Sequence, residues 1–247
     1  MKGTFKLFLK GLSFYVIAVC CYLLGSRGGF STRDFGFLGL TLVYGGLTLS
    51  YGFGSKMLVQ TAVTQAHEEA DEELAKKRKK YPGAVDHSTQ LPGAPSWDKP
   101  LRILYYVLMF GVLYFAAGMS YQEDAKPDRL FYIGLIVIFL SIMVRSQSLR
   151  AQPFLDPMES LDPEYILPMQ AKGVYGAVRH PAQAAALLLA LGSMCAAYSV
   201  PVLITGAAVI IVTLIRTEKE DRFLHNTIPG YARYEKEVQK KALPHLF

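Results

Sequence analysis

The segment that decides the fold runs from Gly173 to Pro181 and reads G-V-Y-G-A-V-R-H-P. Two apolar segments, Ala182–Val200 and Pro201–Ile215, follow it with almost no connection between them. A charged tail begins directly after them, at Arg216. We therefore expect a helical hairpin in a membrane, whose two open ends carry an Arg-His pair and an acidic cluster.

The composition indicates a membrane protein. Of the 247 residues, 51% are hydrophobic and only 19% are charged, whereas a soluble domain averages roughly 25% charged residues. The net charge is +6, and in a membrane protein such an excess lies in cytoplasmic loops that face anionic lipid. The basic residues are not interleaved with aromatic residues on one soluble domain, so nucleic acid is not an expected partner.

Six apolar segments approach or exceed the length that spans a bilayer. They predict an all-α integral membrane protein with about six transmembrane helices, a C-terminal helical hairpin and amphipathic tail helices. No small-residue cleavage site follows the first segment, so we interpret it as a retained helix and not as a signal peptide. The predicted spans are Phe5–Leu24, Phe35–Val59, Leu101–Tyr121, Leu130–Val144, Ala182–Val200 and Pro201–Ile215.

The chain divides into three predicted parts. Residues 1–60 form an N-terminal pair of transmembrane helices, residues 61–100 a charged cytoplasmic loop and linker, and residues 101–247 the membrane core. His67 and Asp71 share a helical face in the loop, but two ligands alone do not make a metal site. We expect no bound metal.

The distribution of basic residues predicts the orientation. With six spans, both termini and the 61–100 loop lie on one side, which carries the Lys76–Lys80 cluster. The positive-inside rule places this side, and with it the Arg-His pair, in the cytoplasm. Trp97 stands just before the third span, where aromatic side chains often anchor a helix at the interface. Cys20, Cys21 and Cys195 lie in apolar runs and predict no disulfide.

The Arg-His-Pro triplet suits an anion. Pro181 marks the first turn of span five, so Arg179 and His180 stand at a helix N-terminus, where the dipole favours negative charge. Arginine also binds carboxylates and phosphates in a bidentate manner. The alternative is a positive-inside arginine beside an interfacial histidine, and spacing alone does not separate the two.

Glu218, Glu220 and Asp221 follow span six directly. They either form a solvated helix face, or accept hydrogen bonds from ribose hydroxyls or orient a nucleophile. Because Arg179 and Glu220 flank the same hairpin, we expect them to lie near each other, which favours the functional interpretation.

The C-terminal third, Ala171–Phe247, resembles the isoprenylcysteine carboxyl methyltransferase and phospholipid methyltransferase family. The resemblance rests on G-V-Y-G-A-V-R-H-P, the apolar hairpin, the acidic pair, Tyr231-Ala232-Arg233-Tyr234 and Leu243-Pro244. It implies an integral membrane enzyme that transfers a methyl group from S-adenosylmethionine to a lipid, a lipidated molecule or another membrane-associated acceptor. The acceptor group would be a prenylcysteine-like carboxylate, a phospholipid amine or a small thiol. The implied catalytic residues are Arg179 and Glu220, and the implied cofactor contacts are Tyr175, Val178, Arg179, His180, Pro181, Glu220, Asp221 and Tyr231.

The chain departs from the family pattern in three places. Gln183 replaces the tyrosine after R-H-P, the acidic pair reads Lys219-Glu220 or Glu220-Asp221, and the usual glycine turn is Ile228-Pro229-Gly230. These changes affect the acceptor side of the site more than the cofactor side. They are also compatible with a family member that has lost activity.

Two other functions remain open. An NADPH-dependent membrane reductase of the sterol-reductase type would need basic residues for the 2′-phosphate, and Lys236, Lys240 and Lys241 are candidates. A non-catalytic scaffold or small transporter on the same fold is the third possibility. Transporters usually need charged residues inside the membrane, and the predicted spans carry almost none.

Overall fold

All secondary structure in the described part of the chain is helical. The computed structural model describes residues 2–26, 36–44, 93–120, 128–158, 160, 161, 163, 166, 169, 171–228 and 230–242. The helices are α1 (Lys2–Ser26), α2 (described over residues 36–44), α3 (Asp98–Ser120), α4 (Arg129–Ala151), α5 (Val174–Ala177), α6 (Pro181–Ala196), α7 (Val200–Thr227) and α8 (Tyr231–Glu237). The prediction of an all-α protein is confirmed for these residues.

Within the described residues, three helices are long and apolar enough to cross a membrane, over Asp98–Ala117, Arg129–Ala151 and Val200–Thr227. Helix α6 is apolar but has only 16 residues. Large hydrophobic side chains on the three long helices face outward, and Val107, Ile136 and Ile204 each expose 60% or more of their surface. An apolar exterior of this kind is unfavourable in water and suits lipid, so the protein is membrane-associated.

Helix α3 begins earlier than the sequence predicted. The predicted linker 61–100 ends inside this helix, because α3 starts at Asp98. The carboxylate of Asp98 accepts a hydrogen bond from Arg102 Nη1 at 2.9 Å, one turn later. An acidic side chain in the first turn also interacts favourably with the helix dipole.

Helix α4 ends later than predicted. The predicted span stopped at Val144 because polar residues follow it, but the helix continues to Ala151. The polar residues Arg145 and Ser148 are fully buried, and they contact other parts of the protein instead of water. The chain becomes irregular only after Ala151.

Helices α6 and α7 are joined by a short connection. Helix α6 ends at Ala196, before the predicted boundary at Val200, and Ser199 Oγ caps α7 by accepting from Val202 N at 3.4 Å. Helix α7 then continues without interruption to Thr227. Its 28 residues extend about 42 Å, whereas the hydrocarbon layer is about 30 Å thick. A helix of this length is long enough to cross that layer with its charged last turns outside it.

Helices α4 and α6 pack closely and run antiparallel. A Cβ atom on Gly134 would lie 2.5 Å from Ala196 N and 2.6 Å from Gly192 O, so only glycine allows the two backbones to approach this closely. Nearer the other end of the same contact, Ser141 Oγ donates to Ala185 O at 2.6 Å.

The order of packing gathers polar residues at one end of the bundle. Helix α1 packs on α3, α3 on α7, α7 on α6 and α6 on α4. The starts of α3 and α6 and the last turns of α4 and α7 meet at this end, which we call the polar end. Its buried charged residues are Asp98, Arg145, Asp156, Arg179, His180, Arg216, Glu220 and Asp221.

Several predicted features lie outside the described residues. They are the 61–92 part of the charged loop with His67 and Asp71, the second span beyond residues 36–44, and the Leu243-Pro244 motif.

Candidate functional site

The Gly173–Pro181 segment forms a bend that presents two basic residues. Gly173 has a φ of 56°, in the left-handed region that glycine adopts at little cost, and the single-turn helix α5 follows it. The backbone N–H groups of Arg179 and His180 donate to the carbonyls of Lys240 and Lys241, at 2.8 and 2.7 Å. The tail after α8 therefore pairs with this segment and holds its backbone in place.

Asp221 is the centre of the first half of the site. It is 4% exposed and accepts hydrogen bonds from Arg179 Nη2 at 2.9 Å and from Tyr231 Oη at 2.8 Å. His180 Nε2 lies 3.0 Å from its Oδ1. The carboxylate thus joins the bend, α7 and α8.

Glu220 is the centre of the second half and is 1% exposed. The amide Nε2 of Gln183 donates to both of its oxygens at 2.8 Å. His180 Nδ1 lies 3.2 Å from Oε1, and Arg216 Nε lies 3.6 Å from Oε2. We call Arg179, His180, Gln183, Glu220, Asp221 and Tyr231 the Arg-His-carboxylate cluster.

The imidazole of His180 links the two carboxylates. Burial by itself would lower its pKa, but hydrogen bonds to Asp221 and Glu220 and the negative charges of both residues raise the pKa above its ordinary value. Because each ring nitrogen faces a carboxylate oxygen, the imidazolium form can donate to both. In that form the ring bridges the two carboxylates.

Arg216 ties the cluster to the start of α3. Its Nη2 lies 2.9 Å from Asp98 Oδ1, and its Nη1 donates to the carbonyl of Pro157 at 2.9 Å. Since Arg216 also lies one helical turn before Glu220, it connects α3, the segment after α4 and the cluster.

Two further tyrosines, Tyr175 and Tyr234, pack beside Tyr231 of the cluster. Tyr234 Oη donates to the carbonyl of Tyr175 at 2.7 Å, and the Tyr175 hydroxyl lies 3.0 Å from Ser148 Oγ on α4. Burial, followed by the charge of Asp221, raises the pKa of Tyr231 far above its usual range. Tyr231 therefore stays neutral and donates a hydrogen bond to Asp221.

A second ion pair lies at the polar end, between Arg145 and Asp156. Both side chains are fully buried, and Nε and Nη2 of Arg145 lie 3.0 and 3.1 Å from the two carboxylate oxygens. The guanidinium also lies 4.2 Å from the ring centre of Tyr44. Arg145 lies just after the predicted fourth span, yet it is an internal residue of α4.

The structure brings most of the predicted site residues together. Arg179, His180, Glu220, Asp221 and Tyr231 share the cluster, whereas the hydroxyl of Tyr175 contacts α4. Val178 and Pro181 are buried and shape the backbone without adding a polar side chain. Glu218 is half-exposed and contacts Arg222 and Lys241.

Sequence reasoning missed the roles of Gln183, Arg216 and Asp98. Gln183 was seen only as a departure from a family pattern, although its amide is a principal partner of Glu220. The spacing of Arg216, four residues before Glu220, was an available signal. Nothing in the sequence near Asp98 pointed to a partner on α7.

Two side-chain atoms of the cluster have no hydrogen-bond partner. Among the described residues, Arg179 Nε and Gln183 Oε1 are buried polar atoms of this kind, and such atoms are rare in folded proteins. One is a donor suited to a carboxylate, and the other is an acceptor suited to a hydroxyl or an amine.

The chain matches no known protein-family profile and none of the curated proteins.

Proposed function

We propose that the protein transfers a methyl group from S-adenosylmethionine to a lipophilic or membrane-associated acceptor. The observation that supports this is the meeting of Arg179 and His180 with Glu220 and Asp221, about 40 residues later in the chain, in one buried cluster. Burying charged groups is costly even when they are paired. Their concentration at the end of an apolar bundle therefore favours a functional role over a purely stabilising one.

The roles of the residues follow from their chemistry. The cofactor supplies an electrophilic methyl group on a positively charged sulfur. Arg179 would hold its carboxylate through the Nε donor, since Nη2 contacts Asp221 and Nη1 contacts Glu235. Glu220 and Gln183 Oε1 would accept hydrogen bonds from its hydroxyl or amino groups. A carboxylate in a dry site also stabilises a nearby cation strongly, and His180 fixes the positions of both carboxylates.

We further propose six spans, with α6 and α7 as a hairpin and with the termini and the polar end in the cytoplasm. The antiparallel packing of α4 on α6 and the contact of α7 with both α6 and α3 support this arrangement. A water-soluble cofactor would then reach the polar end from the cytoplasm, and a lipophilic acceptor would reach it from the bilayer.

A non-catalytic scaffold is the second candidate. All four carboxylate oxygens of Glu220 and Asp221 already have contacts within the chain, the longest at 3.6 Å. A cluster with a purely structural role would also have all its carboxylate oxygens occupied by partners within the chain. The reductase has less support, because Lys241 lies against Glu218 and Asp221, so its charge is balanced within the chain.

Calorimetric titration of the detergent-purified protein tests the proposal. The titrants are S-adenosylmethionine, its demethylated product and NADPH. We expect saturable binding of the first two, weakened about 10- to 100-fold by Arg179→Lys, since a charged hydrogen bond contributes about 1.5–3 kcal/mol. Arg145→Lys is the matched control, because it makes the same change at a buried arginine outside the cluster.

Each result points to one function. Selective loss in Arg179→Lys, with transfer of labelled methyl groups to a lipid extract, supports the methyltransferase. Binding of NADPH alone points to the reductase. If the folded protein binds none of the three, the methyltransferase proposal is refuted and the scaffold becomes the leading function.

A further inference from the structure

A groove on the outer face of α7 has no role in the site described above. It has a volume of about 410 Å³ and is lined by Leu214, Ile215, Glu218, Lys219 and Arg222. The Arg-His-carboxylate cluster occupies the opposite face of the same helix, because Glu220 and Asp221 are buried and do not line the groove. The groove changes from apolar to charged within two helical turns, where α7 leaves the apolar layer.

We propose that this groove binds an anionic phospholipid from the surrounding membrane. An acyl chain would lie on Leu214 and Ile215, and the phosphate would contact Lys219 and Arg222. This inference depends on α7 crossing a membrane and is independent of methyl transfer.

The charges of the groove favour a phosphate. Glu218, its only acidic residue, contacts Lys241 Nζ and lies 2.8 Å from Arg222 Nε. Two basic residues therefore already balance this single carboxylate. Among the described residues, Lys219 forms no ion pair within 4 Å, and Arg222 is 75% exposed. The net positive charge attracts anionic lipid, and each basic residue near the surface contributes about fivefold in affinity.

Trp97 places the groove at the level of lipid headgroups. The ammonium of Lys219 lies 5.8 Å from the centre of the Trp97 ring, and this ring packs edge-on against Phe223 at 6.5 Å. Tryptophan is enriched where the apolar layer meets water. A phosphate held by Lys219 would therefore lie at the depth where phospholipid phosphates normally lie.

Trp97 also supplies the measurement, because it is the only tryptophan in the chain. The full-length protein is placed in nanodiscs of phosphatidylcholine that contain increasing fractions of phosphatidylglycerol with brominated chains, which quench nearby tryptophan. We expect quenching to saturate at a low fraction of the anionic lipid. Brominated phosphatidylcholine in a phosphatidylglycerol background should quench weakly.

Two double variants separate the groove from general surface charge. Lys219→Gln with Arg222→Gln should raise the half-saturating lipid fraction about 30-fold, by two factors of about five. Arg233→Gln with Lys236→Gln removes the same charge from α8, where Arg233 pairs with Glu237 as Arg222 pairs with Glu218. This control should behave like the unmodified protein. For each variant, the Trp97 emission is divided by its emission in nanodiscs without brominated lipid. A change in the emission of Trp97 caused by the substitution itself therefore does not affect the result.

Three outcomes would overturn the inference. One is equal quenching by the two brominated lipids, and another is an equal effect of the two double variants. The third is displacement of the quenching lipid by millimolar inorganic phosphate, which would show that the groove takes a free anion and not a lipid.

Discussion

Replacing Asp221 with asparagine should strongly destabilise the protein. The carboxylate contacts a guanidinium, an imidazolium and a phenol at 2.8–3.0 Å while only 4% exposed. Asparagine has nearly the same shape but carries no charge, and its amide N–H would face one of these donors. The change therefore removes one of the two carboxylates that face each positive group, because Arg179 keeps Glu235 and His180 keeps Glu220.

The expected cost follows from the burial. Breaking a buried ion pair by removing one partner costs about 3–5 kcal/mol. In a protein of this length that corresponds to a fall of about 10 °C in the thermal midpoint. The midpoint is measured by circular dichroism of the detergent-purified protein.

Two other substitutions serve as references for the thermal midpoint of Asp221→Asn. Tyr231→Phe removes one hydroxyl donor from the same carboxylate and should cost less, about 1.5–3 kcal/mol. Glu237→Gln changes the charge of an exposed ion pair and should stay within about 0.5 kcal/mol. If Asp221→Asn melts like Glu237→Gln, the carboxylate is solvated and the reasoning about the cluster fails.

Three further predictions concern the rest of the fold. The pKa of His180 is raised in the folded state. The stability that its charge contributes is therefore complete below the ordinary histidine pKa of about 6.5, and it is lost as the pH rises through the folded-state pKa. The free energy of unfolding should fall over that range, and His180→Gln should flatten the decline. Gly134→Ala should cost about 1–3 kcal/mol, because its Cβ would meet α6, whereas Gly39→Ala, which meets nothing within 4 Å, should be neutral or stabilising. Arg145→Met should cost about 3–5 kcal/mol by removing the cation paired with Asp156, and adding Asp156→Leu should recover most of that loss. Thermal midpoints check the glycine and the Arg145 predictions. Equal melting of Arg145→Met with and without Asp156→Leu would contradict the Arg145 prediction.

The sequence predicted the features that depend on local order. Pro181 marks the start of α6, and the short connection to α7 places Arg179 near Glu220, because two packed neighbouring helices bring the end of one to the start of the other. The apolar runs predicted membrane helices for the same reason: hydropathy is a property of consecutive residues.

The contacts between distant segments were not predictable in the same way. The pairs Asp98–Arg216 and Arg145–Asp156 depend on how α3 and α4 are rotated against the rest of the bundle. Polar residues such as Arg145 at a helix end indicate a loop when hydropathy alone is considered. Their burial was visible only once the facing segments were in place, and the same holds for the contact of Gln183 with Glu220.

The backbone contacts of Arg179 and His180 with Lys240 and Lys241 join segments that are synthesised at different times. About 60 residues separate the two segments of this contact, and a ribosome adds roughly 5–20 residues per second. The bend is therefore synthesised several seconds before the tail that holds it. Until Lys241 has been added, the backbone N–H groups of Arg179 and His180 lack these two acceptors.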